Sequence, residues 1–118
     1  MTEKNYPAYY DHLKTLMKSL AKESPGPMSG FAQLHKQAMG EGALSIKVKE
    51  LIALGIGIHT QCEGCIAFHV RGALHAGATR QEVLETIGVA LMMGGGPASI
   101  YAAEAFEALE QFEKATAQ

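Results

Sequence analysis

The chain has 118 residues, 47% of them hydrophobic, and a formal net charge of −2 at pH 7. That length suits one domain. The charge balance excludes an electrostatic nucleic-acid binder, which would carry a basic patch, and no apolar run is long enough to span a bilayer.

Residues 7–22 read as a first helix. Pro7 suits an early helical position, and Tyr10, Leu13, Leu16, Met17 and Leu20 recur at helical spacing. His12 lies off that stripe and is expected in solvent. Ser24-Pro25-Gly26-Pro27 reads as a break. A second helix is expected from Ser29 to Met39, with Phe31, Leu34 and Ala38 on its apolar face and His35 and Lys36 on the surface.

The third helix starts at Ser45, a good N-cap, and becomes apolar on every side from Leu51 to Ile58, the mark of a buried helix. Gly55 and Gly57 each cost about 1 kcal/mol against Ala in a helix interior. Their use is expected to be close approach of a neighbouring helix. Glu50 stands where the charged end meets the apolar end; a surface pairing with Lys47 or Lys49 is the plain alternative.

His59-Thr60-Gln61 reads as a short connection, and a fourth helix runs from near Cys62 to Ala76-Gly77. His75 in its last turn suits the negative end of the helix dipole. Thr79-Arg80-Gln81-Glu82 has the pattern of a capping box and opens a fifth helix that continues to Met93. Gly94-Gly95-Gly96-Pro97 lacks the Lys-Ser/Thr of a phosphate loop and reads as a tight interhelical turn. Pro97 opens a sixth helix through Tyr101, Ala105, Phe106, Leu109 and Phe112. No alternating strand pattern occurs, so the fold class is all-α, a single domain of about six helices. The apolar girth of the third and fifth helices predicts a homo-oligomer, because a chain this short cannot easily bury both.

The chemistry concentrates in Gln61-Cys62-Glu63-Gly64-Cys65-Ile66-Ala67-Phe68-His69, with Glu50 twelve residues before Cys62. The start of the chain, charged and without an apolar run, gives no signal peptide, so the expected compartment is the cytoplasm. Structural disulfides are rare there, and a C-x-x-C pair is then redox-active, catalytic or metal-binding rather than a staple. Two packed cysteines could share this spacing, but the histidine four residues after the second argues for chemistry. A thiol at the start of the fourth helix meets the partial positive charge of unpaired N–H groups and ionises below the free value of about 8.5. His69 lies four residues after Cys65, on the same helix face, and can take its proton. Glu50 from the preceding helix could orient that histidine. A thiolate so placed can open a peroxide to a sulfenic acid, which the second thiol converts to a disulfide. A metal site of Cys62, Cys65 and His69, completed by Glu50 or His59, is a second reading. A helical oligomer without catalysis is a third.

Glu50, Cys62-x-x-Cys65, His69 and Met93-Gly94-Gly95-Gly96-Pro97 together resemble the alkylhydroperoxidase AhpD-like and carboxymuconolactone decarboxylase family, over roughly residues 30–110. The resemblance implies a peroxide-reducing enzyme without a cofactor. Cys65 would be the peroxide-reactive thiol, Cys62 the thiol that exchanges with a dithiol or thioredoxin-like reductant, and Glu50 and His69 a proton relay. The best-known members carry a histidine immediately before the second cysteine, where this chain has Gly64. The decarboxylase branch acts on a lactone and lacks the cysteine pair. The resemblance also implies small helical subunits in trimers or hexamers.

Overall fold

The structure is a computed structural model that describes residues 4–117. Six helices follow one another: α1 (Tyr6–Glu23), α2 (Pro25–Met39), α3 (Ile46–His59), α4 (Glu63–His75), α5 (Arg80–Gly94) and α6 (Gly96–Ala117). No strand occurs among the described residues, and none of these helices is long and apolar enough to cross a membrane.

Side chains set most of the helix starts. Asn5 caps α1 by accepting the Ala8 N–H at 2.9 Å, and Ser45 caps α3 by accepting the Val48 N–H at 3.1 Å. Thr79 and Glu82 form the reciprocal capping box of α5. The second helix departs from its sequence expectation. It begins at Pro25 and not at Ser29, so only Ser24 separates it from α1. Pro25 and Pro27 fall in the first turn, where backbone N–H groups have no intrahelical partner and a proline removes nothing. Gly95, between α5 and α6, takes φ 66° and ψ −148°, a conformation a β-carbon would oppose.

The core lies where α3, α4, α5 and α6 meet. Leu54, Ile58, Ile66, Val70, Val83 and Leu109 are wholly buried, and Ala67, Ala73, Ala105 and Ala108 let the helix axes close on one another. Tyr6 brings the start of α1 into this core. Tyr10 lies 4.9 Å from the Phe68 ring and carries the Arg71 guanidinium 4.6 Å from its own centroid.

The chain leaves much apolar surface uncovered. No residue of α2 is buried, and Phe31 and Leu34 are 54% and 63% exposed. The expected stripe on α1 is covered only at its start, since Leu16, Met17 and Leu20 are exposed. Between α3 and α5 runs a groove of about 450 Å³ lined by Ile52, Ile56, Val89 and Met93.

Hydrogen bonds from the Thr79 backbone, then from Lys47, hold the Glu82 carboxyl below the usual carboxylate range. A carboxyl lowered on folding stabilises the protein above its unfolded pKa, about 4.3, and that contribution fades as pH falls through the folded value. Thr79→Ala should lower the urea-unfolding free energy by about 1 kcal/mol. Glu82→Gln should also destabilise at neutral pH, with its difference from wild type narrowing in acid.

Candidate active site

The C-terminus of α3 delivers the first cysteine. Gln61 takes a left-handed φ of 60°. The Cys62 N–H then donates to the Gly57 carbonyl at 3.0 Å and the Gln61 N–H to the Ile58 carbonyl at 3.1 Å. This paired closure is a Schellman motif with glutamine in the position glycine usually holds. It turns the chain so sharply that Cys62, one residue later, already caps α4. The Cys62 sulfur accepts the Cys65 N–H at 3.1 Å.

Cys62 and Cys65 are joined as a disulfide, with their Cα atoms 5.2 Å apart, and both residues are half-buried. Gly57 makes room for it: a β-carbon there would stand 2.9 Å from the Cys65 β-carbon. The expected use of Gly57 for close helix approach therefore holds, whereas Gly55 meets only Thr86 at an ordinary 3.8 Å. Gly64, between the cysteines, lies under α1. A β-carbon on it would be 3.3 Å from Leu13 Cδ1 and 3.9 Å from the Tyr9 hydroxyl.

Glu50 and His69 meet across α3 and α4, with Glu50 Oε1 2.7 Å from His69 Nδ1. Their side chains are only 16% and 20% exposed. The surface pairing open to Glu50 does not form: Lys47 binds Glu82 at 2.9 Å and Lys49 binds the Gly40 carbonyl at 2.5 Å. Gly72, one turn beyond His69, is the floor under this carboxylate. A β-carbon there would fall 2.7 Å from Oε1 and nearer still to Cδ and Oε2. A Glu50 carboxylate at this distance accepts a hydrogen bond from Nδ1–H, the tautomer that leaves Nε2 free to take a proton. No hydrogen bond joins His69 to either sulfur among the described residues. Glu50 also lines an open cavity of about 700 Å³ with Lys47, Arg71 and His75, which gives the carboxylate contact with solvent.

The metal reading finds no support in this arrangement. Among the described residues no three His, Cys, Asp or Glu side chains converge enough to hold one ion. His59 faces Gly94, with Nδ1 3.2 Å from where a β-carbon would sit. His12, His35 and His75 are all exposed.

A second group around the cysteines has no local sequence signal. Lys4 pairs with Glu63, the residue after Cys62, and the buried Tyr6 donates its hydroxyl to Glu104. Burial, then the hydrogen bond to the Glu104 carboxylate, pushes the Tyr6 phenol far above its usual range. Gln111 grips the same segment twice, accepting the Tyr6 N–H and donating to the Lys4 carbonyl, each at 2.7 Å. Partners so far apart along the chain follow no periodicity.

Comparison with known proteins places these features in a family. The family model described as "Carboxymuconolactone decarboxylase family" matches residues 25–108. An uncharacterized protein of Cupriavidus necator is 38% identical over 94 residues, covering 77% of this chain and 83% of the relative. An uncharacterized protein of the cox locus of Paracoccus denitrificans is 39% identical over 85 residues, covering 72% and 77%. Among solved structures, a carboxymuconolactone decarboxylase family protein from Legionella pneumophila, in its apo form, superposes with a TM-score of 0.88 at 44% identity. It covers 93% of this chain and 98% of its own. A family protein from Thermotoga maritima, described with a suggested part in an antioxidative response, gives 0.83 at 23% identity, covering 90% and 91%. That likeness is one of fold.

The geometry predicts opposite effects at two positions. Gln61→Gly removes a strained left-handed residue and should raise the unfolding free energy by about 1 kcal/mol. Gly72→Ala forces Glu50 off its floor and should lower it by about 1–3 kcal/mol. Urea titrations of both variants check the pair.

Proposed function

We propose, for a chain that belongs to the carboxymuconolactone decarboxylase family, that Cys62 and Cys65 are a dithiol–disulfide pair that reduces peroxides, with His69 and Glu50 as its proton relay. The observation that carries this reading is the 2.7 Å Glu50–His69 hydrogen bond, made one helical turn from Cys65 and beside a cysteine that caps α4.

In the reduced protein, His69 Nε2 takes the Cys65 proton, directly or through a water. Glu50 stabilises the imidazolium that forms. The Cys65 thiolate attacks one peroxide oxygen. The O–O bond breaks, the other oxygen leaves as an alcohol or water with the proton from His69, and Cys65 becomes a sulfenic acid. The Cys62 thiolate then attacks the Cys65 sulfur, an S–S bond forms, and hydroxide leaves to be protonated as water. Two electrons from an outside dithiol complete the cycle. Its thiolate attacks Cys62, Cys65 leaves as thiolate, and the dithiol's second thiol releases Cys62 while its own disulfide forms. The position of Cys62 supports its exchange role, because the helix N-terminus stabilises the thiolate it becomes on leaving.

The reading includes a homo-oligomer, a trimer or hexamer. The exposed Phe31 and Leu34 of α2 and the apolar groove between α3 and α5 are surfaces that a second copy would cover.

Peroxide consumption with a dithiol reductant tests the reading. Wild type should turn over, and Cys62→Ser and Cys65→Ser should not. His69→Ala should slow the reaction by about 10²-fold or more, the scale of a lost general base. Glu50→Gln should slow it less. In Cys62→Ser one sulfenic acid should still form at Cys65 and be trapped by dimedone. Unchanged rates in His69→Ala would remove the relay, and trapping at Cys62 alone in Cys65→Ser would reverse the two cysteine roles. Light scattering should report an oligomer; a stable monomer at micromolar concentration would refute that part.

A further inference from the structure

The residue that follows Cys62 is a glutamate, and its charge sits in an awkward place. Glu63 is the first residue of α4, so its carboxylate shares the positive end of that helix with the Cys62 sulfur. Two anions beside one helix terminus repel each other. A Cys62 thiolate is therefore harder to form the more of the Glu63 charge it feels.

Lys4 answers that charge. Its ammonium pairs with the Glu63 carboxylate and lies 4.5 Å from the Tyr9 ring centroid and 5.7 Å from that of Tyr6. The hydrogen bond from Lys4 holds the Glu63 carboxyl below the usual carboxylate range. A partly exposed ion pair of this kind adds little to stability. The structure around it is nonetheless extensive. Gln111 on α6 fixes the backbone on both sides of Asn5, Tyr6 is wholly buried, and its hydroxyl is bonded to Glu104. Among the described residues, the charged groups that act on Tyr6 and Glu63 are Lys4, Glu104, Glu107 and Glu63 itself, and Lys4 is the cation of this set.

We infer that Lys4 and Glu63 are opposed positioning residues for Cys62: the lysine, held in place by Gln111 and Tyr6, masks the glutamate and so sets how readily the Cys62–Cys65 disulfide is reduced. This rests on reading the pair as a working redox couple. Reduction takes two electrons from an outside dithiol, which becomes a disulfide. One S–S bond is exchanged for another, and the charge beside Cys62 weights the side of the balance on which that thiolate exists.

The test equilibrates the full chain with mixtures of reduced and oxidised dithiothreitol at one mildly alkaline pH. The dithiol fraction is read by alkylation and mass spectrometry. Lys4→Met should move the equilibrium about fivefold toward the disulfide, the scale of one unit charge several ångströms away in a partly hydrated site. Glu63→Gln should move it about fivefold toward the dithiol. Lys4→Arg should stay near wild type, and the double variant Lys4→Met, Glu63→Gln should return close to it. Thiolate absorbance of Cys62 in a Cys65→Ser background should shift to higher pH with Lys4→Met and to lower pH with Glu63→Gln. Shifts in the same direction, or none, would overturn the inference, because damage to the fold has no reason to follow the sign of the charge. Opposed shifts in a protein that consumes no peroxide would support it and count against the peroxidase reading alone.

Discussion

The site depends on how closely α3 can lie against α4. Gly57 faces the Cys65 β-carbon, and Gly72 lies under the Glu50 carboxylate. Each helix thus gives up one side chain where the other carries a residue of the candidate site. An alanine at either place would separate the axes or displace a functional side chain, because packed interiors cannot absorb an added methyl group without strain. The other features of the site follow from this approach. Glu50 reaches His69 at 2.7 Å only because both helices are close, and the tight Schellman closure of α3 is the shortest route into an antiparallel α4.

That closure also settles the electrostatics. It places Cys62 at the N-cap with no intervening loop, so the Cys65 N–H in the first turn of α4 donates to the Cys62 sulfur. The helix end favours negative charge on the first cysteine, and in the proposed cycle the Glu50–His69 pair serves the second, one turn on. The two sulfurs of one disulfide therefore lie in different fields. Such a difference would suit the two roles proposed for the pair, since a leaving thiolate and an attacking thiolate are helped by different stabilisation.

Outside the core, many large apolar side chains are exposed. Met92 and Met93 at the end of α5 are 70% and 67% exposed, and α2 contributes nothing to the core. Burial inside α3 and α5 is one-sided: Leu54, Ile58, Val83, Ile87 and Ala90 face inward, while Ile52, Ile56 and Val89 face out. The all-round apolar pattern of these helices thus divides between the chain's own core and a second, exposed surface.

By itself the sequence determined the all-α class, the six helices, the N-caps at Ser45 and Thr79 and the glycine stop at Gly77. Each depends on residues within a few positions of one another, and local hydrogen bonding and periodicity decide such features. The family was legible too, because Glu50, the cysteine pair and His69 keep a fixed spacing along two consecutive helices. The start of α2 was not, since Pro25 and Pro27 break a helix interior and suit a helix start equally well. Tertiary structure alone decided that Glu50 meets His69 and not Lys47, that Gly72 is the carboxylate's floor, and that α1 covers Gly64. It also decided that Lys4, Tyr6, Glu104 and Gln111 gather around Glu63. Those contacts join positions from 19 to 107 residues apart, and their geometry is set by the angle and distance at which whole helices pack, which no short stretch of chain encodes.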